Sequence, residues 1–120
     1  MPRDARAYLA DMIESCDAIV LAVRGLDLGA YQSNRLVRSS VEREFIIIGE
    51  AAAALARIAP EVFEAITRAR RIVDFRNQLT HEYPSVDDGV VWAIAEHDVP
   101  VLRRECAALI LRVSPADNLG

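Results

Sequence analysis

The sequence contains no lysine, and several other residue types are scarce. Its 120 residues carry 14 basic side chains, all of them arginine, against 18 acidic ones, for a formal net charge of −4. This balance argues against a strongly basic protein that binds nucleic acid without specificity, although it leaves room for a local basic site. With only five glycines and five prolines, the composition does not favour a fold rich in loops.

Aromatic residues are also few, at 6% of a chain that is 52% hydrophobic and rich in alanine. This mixture favours packed helices over a β-sandwich, which would need more β-branched and aromatic residues. The length is sufficient for one domain with a real core but not for two. We expect a single helical domain over residues 1–113 and a loose tail over 114–120, where no hydrophobic period is visible.

The two cysteines, Cys16 and Cys106, lie on separate apolar stripes and have no metal-ligand spacing. They are expected to be reduced core residues of a cytoplasmic protein. No signal peptide is recognisable, and no apolar run reaches the roughly 18 residues of a membrane span. The sequence therefore predicts a cytoplasmic protein without membrane association, and it indicates neither a metal site nor a cofactor.

Hydrophobic periodicity predicts four helical stretches. The first covers residues 4–23, and a turn bracketed by Gly25 and Gly29 follows it. The second covers 34–59, and the third starts at Pro60 and continues to about residue 83, because Pro84 disfavours helix before it. The fourth is capped by Asp87 or Asp88 and must kink or restart near Pro100.

The second predicted helix is apolar on nearly all sides over residues 46–54, so it should be surrounded by partners. The small side chains from Gly49 to Ala54 would let another backbone approach closely. Glu50 is the exception in this run. Its carboxylate either points to solvent or is partly buried and paired with an arginine, and the sequence leaves both alternatives open.

Chemically versatile side chains are concentrated in residues 76–83, with the sequence Arg-Asn-Gln-Leu-Thr-His-Glu-Tyr. Arg76 is charged at any working pH, and His81 is of the type that exchanges a proton near neutrality. This combination suits cleavage of a phosphodiester. The alternative is a helix end with a surface ion pair. Three arginines precede this motif: Arg68, Arg70 and Arg71. They form either a solvated face or a patch that holds a phosphate backbone.

Helical spacing constrains this motif. Asn77 and His81 are four residues apart and share a face, whereas Arg76 and His81 are five apart, about 140° around an ideal helix. One straight helix therefore does not direct both side chains at one atom. Either His81 lies where the helix frays, or the long arginine side chain swings round, or a second subunit completes the site.

The pattern of Arg76, His81 and Tyr83, with Asn77 directly after the arginine, resembles the Arg-x4-His-x-Tyr signature of the HEPN superfamily and, more narrowly, of the HepT-like toxins. Residues 47–52, Ile-Ile-Gly-Glu-Ala-Ala, resemble the second-helix motif of that family, and 91–92 with 98–102 resemble its last helix. The chain departs from the family before Arg76, where it lacks the frequent Pro-Trp dipeptide.

The resemblance implies an all-α, antiparallel four- to five-helix bundle that forms a homodimer or a higher symmetric oligomer. The motifs of two subunits would face each other across a cleft. It also implies a metal-independent endoribonuclease that acts as a toxin, with an MNT-type minimal nucleotidyltransferase as its antitoxin. In some pairs that partner transfers AMP to the motif tyrosine, here Tyr83, and in others it neutralises by binding alone.

The residues agree with this chemistry. His81 would take the proton of a ribose 2′-hydroxyl or give one to the leaving oxygen, and Arg76 would stabilise the charge on the phosphate. Asn77 and Glu50 would support them, and the upstream arginines would bind RNA. A rival hypothesis is a non-catalytic helical module that binds a nucleotide or a partner and is regulated by AMP transfer to Tyr83. A third is a helix end at a dimer interface.

Overall fold

The structure, a computed structural model, describes residues 3–81 and 86–113, which are helical apart from short connections. It contains seven α-helices in this part of the chain: α1 (Ala5–Val23), α2 (Leu28–Ser33), α3 (Arg35–Ile58), α4 (Pro60–Glu64), α5 (Ala69–His81), α6 (Asp88–Ala93) and α7 (Val99–Arg112). A π-helical turn, Ile94–Asp98, joins α6 to α7. The described residues form no β-strand, and the predicted all-α bundle is confirmed.

The first helix begins where the sequence predicted, because Asp4 caps it by accepting a hydrogen bond from the Ala7 N–H at 2.9 Å. Its inner face is buried against α3 and α7. Arg6 donates hydrogen bonds of 2.6 and 2.7 Å to the carbonyls of Ile110 and Val113. These bonds tie the start of α1 to the end of α7, so the two helices are antiparallel.

The connection from α1 to α3 is more structured than the predicted turn. Gly25 does adopt a left-handed conformation, with φ of 77°, that favours glycine. Gly29, however, lies inside α2, which Asp27 caps by accepting a hydrogen bond from the Ala30 N–H at 2.8 Å. Tyr31 anchors this short helix and is fully buried. The sequence prediction missed α2 because six residues are too few for a helical period.

The long helix α3 is the centre of the bundle and matches the predicted range 34–59. Asn34 caps it by accepting a hydrogen bond from the Val37 N–H at 3.1 Å. The side of the helix that faces the core carries a stripe of buried apolar residues at three- and four-residue steps: Val41, Phe45, Ile48, Ala52, Leu55 and Ala59. α1, α4 and α5 all pack against this helix, which explains why the sequence around residue 50 is apolar on most sides.

The predicted continuous helix from Pro60 to about residue 83 is wrong. The helix is interrupted at residues 65–68, between α4 and α5, and Arg68 adopts a left-handed conformation with φ of 56°. The carboxylate of Glu105 on α7 accepts hydrogen bonds from the Thr67 N–H at 3.0 Å and the Thr67 hydroxyl at 2.6 Å. A side chain 38 residues away therefore stabilises the break, and periodicity within the segment does not reveal it.

The last arm of the bundle runs from α6 through the π-helical turn into α7. Asp87 caps α6, as predicted, and Arg38 forms an ion pair with Asp88 at 3.5 Å. The predicted kink near Pro100 takes the form of the π-helical turn immediately before α7, where the proline stands in the first turn and its missing N–H costs nothing. His97 in this turn is exposed.

The core contains both cysteines, as predicted. Cys16 on α1 and Cys106 on α7 are free thiols with no exposed surface. Burial raises the pKa of each thiol to about 12. Within residues 3–81 and 86–113, every helix is too short or too polar to cross a membrane.

Candidate functional site

Helix α5 carries five of the predicted site residues, and its two sides differ. Its inner side faces α3 and includes Ala69 and Leu79, which are buried. On the outer side, Arg70, Asn77 and His81 are all exposed and lie within about 40° of one another around the helix axis. We refer to these three residues as the exposed stripe. It places an imidazole, a carboxamide and a guanidinium on one solvent-facing surface.

Arg76 is different, because its side chain starts at the contact between α5 and α3. A Cβ atom added to Gly49 on α3 would lie 2.2 Å from the Arg76 Cβ and 2.6 Å from its Cγ. Only glycine at position 49 permits this approach. The run of small residues in α3 predicted that another backbone would come close, and that prediction is confirmed. The structure identifies the approaching residue as Arg76.

The charged end of Arg76 remains without a carboxylate partner in the described part of the chain. The residue is half-buried, and its Nε is buried without a hydrogen-bond partner among the described residues. None of the salt bridges within residues 3–81 and 86–113 involves it. Because a buried N–H without a partner is costly, this guanidinium is well suited to bind an anion such as a phosphate, to which it would donate hydrogen bonds.

His81 is the last residue of α5, and the helix is regular up to it. Thr80 donates hydrogen bonds from its hydroxyl to the carbonyls of Arg76 at 3.1 Å and Asn77 at 3.2 Å. His81 is itself helical, and the residues after it, on which fraying of the helix end depends, lie outside the described part of the chain. Since the root of Arg76 is pressed against Gly49, the two side chains leave α5 on different sides, as the spacing predicted. Tyr83 lies outside the described residues.

Of the two alternatives for Glu50, the structure supports the solvent-facing carboxylate. Glu50 is exposed, and within the described residues it takes part in no salt bridge. The interpretation as a partly buried acid paired with an arginine is therefore not met within one chain. Glu50 directly follows Gly49, so it lies beside the contact that positions Arg76.

The three upstream arginines are all exposed, but they do not share one face. Arg70 belongs to the exposed stripe, and its guanidinium lies 5.2 Å from the ring centroid of Phe63, which restrains it by a cation–π contact. Arg71 is turned about 100° from Arg70, and Arg68 precedes the helix. These last two arginines border a groove of about 490 Å³ between α5 and α7.

Sequence reasoning missed a second polar cluster, which holds the start of α6. It contains the ion pair of Arg38 and Asp88, together with Tyr31 and Glu42. The Tyr31 hydroxyl and the Arg38 Nε are buried without a hydrogen-bond partner among the described residues. Burial and the nearby Asp88 raise the pKa of Glu42 above its ordinary value. No spacing rule connects these residues, because they come from three helices.

No group of three or more histidines, cysteines or carboxylates in the described residues is arranged to hold a metal ion. The candidate site therefore consists of the exposed stripe on α5, the half-buried Arg76 and the neighbouring exposed arginines.

Comparison with known proteins identifies relatives over most of the chain. Residues 12–109 match the model of a family described as "Ribonuclease HepT-like". The chain is 31% identical to "Putative RNase MJ1380" of Methanocaldococcus jannaschii over 86% of its own length and 94% of that protein's. It is 28% identical to "Probable ribonuclease HepT" of Thermococcus cleftensis, over 86% and 93% of the two chains. No solved structure matches it significantly.

Proposed function

The chain belongs to the HepT-like family of the HEPN superfamily, and from this we infer that it is an endoribonuclease acting as the toxin of a toxin–antitoxin pair. The names of its relatives support the ribonuclease activity. The observation that carries the proposal is on α5. There, an arginine without a carboxylate partner in the described chain and an exposed histidine lie five residues apart.

The proposed reaction is attack of a ribose 2′-hydroxyl on the adjacent phosphorus. His81, in its neutral form, removes the hydroxyl proton, and the protonated imidazole then supplies a proton to the leaving 5′-oxygen. Such proton transfer typically contributes about 10²–10⁴-fold to the rate. Arg76 stabilises the charge that develops on the phosphate oxygens. Asn77, one turn before His81, orients the imidazole or the phosphate. The internal nucleophile requires no metal ion.

The active form we propose is a homodimer, or a higher symmetric oligomer, with composite sites. Within one chain, Arg76 and His81 point about 140° apart on a helix that is regular throughout. A two-fold axis next to α5 would bring Arg76 of one subunit towards His81 of the other. Each dimer would then contain two equivalent sites, as the isologous interface of a symmetric dimer requires.

The proposed antitoxin is an MNT-type minimal nucleotidyltransferase. Tyr83 lies two residues after His81 in the sequence, so an AMP group on its phenol would add a bulky anion next to the catalytic imidazole. The adduct would obstruct the cleft and compete with the RNA phosphate for Arg76. Neutralisation by binding alone is the alternative.

Substitutions on α5 test the nuclease. We expect His81→Ala and Arg76→Ala each to abolish cleavage of RNA by the purified protein, in buffer containing EDTA, while the helical circular-dichroism spectrum is retained. His97→Ala and Arg112→Ala are the matched controls, because both residues are exposed and lie on other elements. If His81→Ala protein cleaves as fast as the parent, the nuclease proposal fails and the non-catalytic binding module takes its place.

Mixing the two inactive variants tests the composite site. In a heterodimer of His81→Ala and Arg76→Ala subunits, one site would receive the intact arginine from one chain and the intact histidine from the other. Random exchange of subunits should then restore about a quarter of the parent activity, since half of the dimers would be mixed and each would have one working site. No recovery after verified subunit exchange, or a monomer by light scattering at micromolar concentration, would contradict the composite site.

Tyr83→Phe distinguishes modification from binding. The variant keeps the aromatic ring but lacks the oxygen that accepts AMP. We expect it to remain toxic and to gain no mass when incubated with the nucleotidyltransferase, ATP and Mg²⁺, while the parent gains one or more AMP units and loses activity. If the partner silences both proteins without a change in mass, binding alone is the control.

A further inference from the structure

A groove of about 490 Å³ lies between α5 and α7, with α3 as its floor. We call it the α5–α7 groove. Its apolar lining includes Phe45 and Ile48 on the floor and Phe75 on the α5 wall, and the Thr67–Glu105 hydrogen bonds join the two walls at one side. The volume is within the range of about 300–1,000 Å³ typical of small-molecule sites. Neither the exposed stripe nor Arg76 belongs to its lining.

Phe75 provides a surface on which a flat group could stack. Its ring meets that of Phe45 edge to face, with centroids 5.2 Å apart and an interplanar angle of 80°. In such a pair, at least one face of each ring is left uncovered by the other. Phe75 is only half-buried, whereas Phe45 is 5% exposed. The more accessible aromatic surface of the groove therefore belongs to α5.

The α5 side of the groove is positively charged, although the protein as a whole is acidic. Arg68 and Arg71 both border the groove and are exposed, and within residues 3–81 and 86–113 neither forms a salt bridge. Arg68 holds its position in a left-handed conformation that is unfavourable for a side chain of its size. The contact of Thr67 with Glu105 maintains it there.

The opposite wall offers a hydrogen-bond acceptor. Asp98 is exposed, borders the groove and takes part in no salt bridge among the described residues. Glu105, on the same wall, already accepts both hydrogen bonds from Thr67. Asp98 is therefore the carboxylate that remains available to an occupant of the groove.

We propose that the α5–α7 groove binds an unstacked base of single-stranded RNA, with its phosphates on Arg68 and Arg71. This inference rests on the proposed function, because RNA is the substrate it assumes. RNA supplies both groups that the groove accommodates, a flat apolar ring for Phe75 and anions for the arginines. A protein helix of apolar character would leave these cations without a counter-charge.

The groove lies beside the cleavage site and not within it. Arg71 and His81 are ten residues apart on one helix, which is about 15 Å along the axis and about 80° around it. The bound base therefore belongs to a nucleotide some distance from the scissile phosphate. Its binding selects the substrate and positions the strand along α5.

Asp98 gives this subsite a base preference. A carboxylate accepts hydrogen bonds from N–H groups, which adenine, cytosine and guanine present as amino groups. Uracil has a single N–H between two carbonyl oxygens, and those oxygens would face the carboxylate. The subsite should therefore disfavour uracil, and Asp98→Asn should weaken this discrimination because an amide both donates and accepts.

Binding of fluorescent single-stranded oligonucleotides by the full-length protein tests the proposal. Ribose 2′-O-methylation at every position prevents cleavage, and anisotropy reports the affinity. Phe75→Leu should weaken binding by about 5-fold or more, the lower end of what loss of base–aromatic stacking costs. Arg71→Gln should lower the slope of log affinity against log salt by about one, and the control Arg112→Gln should not.

Two isosteric substitutions of one residue on the α7 wall provide an independent test that does not disturb the core. Val101 borders the groove and is 38% exposed. Val101→Glu adds a negative charge to the groove that would hold the base, opposite the arginines that would bind the phosphates, and Val101→Gln adds the same volume without charge. We expect the glutamate variant to bind at least 10-fold more weakly than the glutamine variant, with equal circular dichroism.

The outcomes separate this inference from the proposed function. If the parent cleaves RNA while Phe75→Leu, Arg71→Gln and Val101→Glu bind oligonucleotides as the parent does, the groove is not an RNA subsite and the nuclease stands. If the parent binds oligonucleotides through the groove but cleaves none, the nuclease fails and the groove inference stands. If Val101→Glu disrupts self-association or antitoxin binding and leaves RNA affinity unchanged, the groove is a protein interface and the inference is overturned.

Discussion

Replacing Gly49 by alanine should displace helix α5. The added Cβ would lie 2.2 Å from the Cβ and 2.6 Å from the Cγ of Arg76, with the Ile72 carbonyl oxygen at 3.4 Å. These two carbons are at the root of the arginine side chain, so no change of rotamer moves the nearer one. The Cβ atoms must separate by more than 1 Å to reach the 3.4 Å at which ordinary contact begins. The backbone of α5 has to supply that movement.

Two opposing effects determine the change in stability. Overpacking of a tight contact typically costs about 1–3 kcal/mol. Alanine is favoured over glycine inside a helix by about 0.5–1 kcal/mol, which offsets part of this cost. Because the contact involves a side-chain root and a neighbouring backbone, we expect a net loss of about 1–2 kcal/mol. For a domain of this size, that lowers Tm by roughly 4–8 °C.

The rate of RNA cleavage should fall by more than the loss of stability alone would explain. A misplacement of about 1 Å can cost about 10²-fold in rate, and the proposed role of Arg76 depends on its position against the phosphate. RNA cleavage by Gly49→Ala protein, measured at 20 °C where the protein remains folded, should be about 10- to 100-fold slower. Urea or thermal unfolding followed by circular dichroism provides the stability measurement.

Two further variants make the test specific. Gly29→Ala is the matched control, since its Cβ would come no closer than 3.6 Å, to an Asp27 oxygen, and this substitution should be neutral or stabilising. Arg76→Gly removes both clashing carbons, so adding Gly49→Ala to it should cost little or nothing. If Gly49→Ala alone is as stable as Gly29→Ala, or if its cost persists beside Arg76→Gly, the contact does not determine how α5 packs.

Three further predictions concern the groups that maintain the fold. Glu105→Gln should lower the free energy of unfolding by about 0.5–1.5 kcal/mol, because one amide oxygen replaces the two that accept from Thr67; an unchanged urea midpoint would contradict this. Cys16 and Cys106 should resist a disulfide reagent at pH 8 and react once the protein is unfolded, because burial raises the pKa of both thiols to about 12; rapid reaction of the native protein would contradict their burial. The pKa of Glu42 is raised in the folded state, mainly by burial. Its ionised form therefore destabilises the fold when the pH is above 4.5, the ordinary pKa that the side chain has in the unfolded chain. Glu42→Gln should therefore raise the free energy of unfolding at pH 7, and this gain should disappear below about pH 4.5.

The sequence alone determined the features that depend on neighbouring residues. Asp4, Asn34 and Asp87 begin their helices through hydrogen bonds that span two or three residues, and the stripes of α1 and α3 show the helical period directly. The sequence also determined on which side of the helix each site residue lies. That Asn77 and His81 share a face, while Arg76 does not, follows from the spacing of residues on one helix.

Tertiary structure decided where these elements break and which residues meet. The break at 65–68 depends on Glu105, which reaches Thr67 from another helix. The contact of Gly49 with Arg76 and the groove between α5 and α7 likewise depend on how separate helices pack. A hydrophobic period reports which side of a helix is buried, but it does not report which residue lies opposite. That information arises only when distant parts of the chain are brought together.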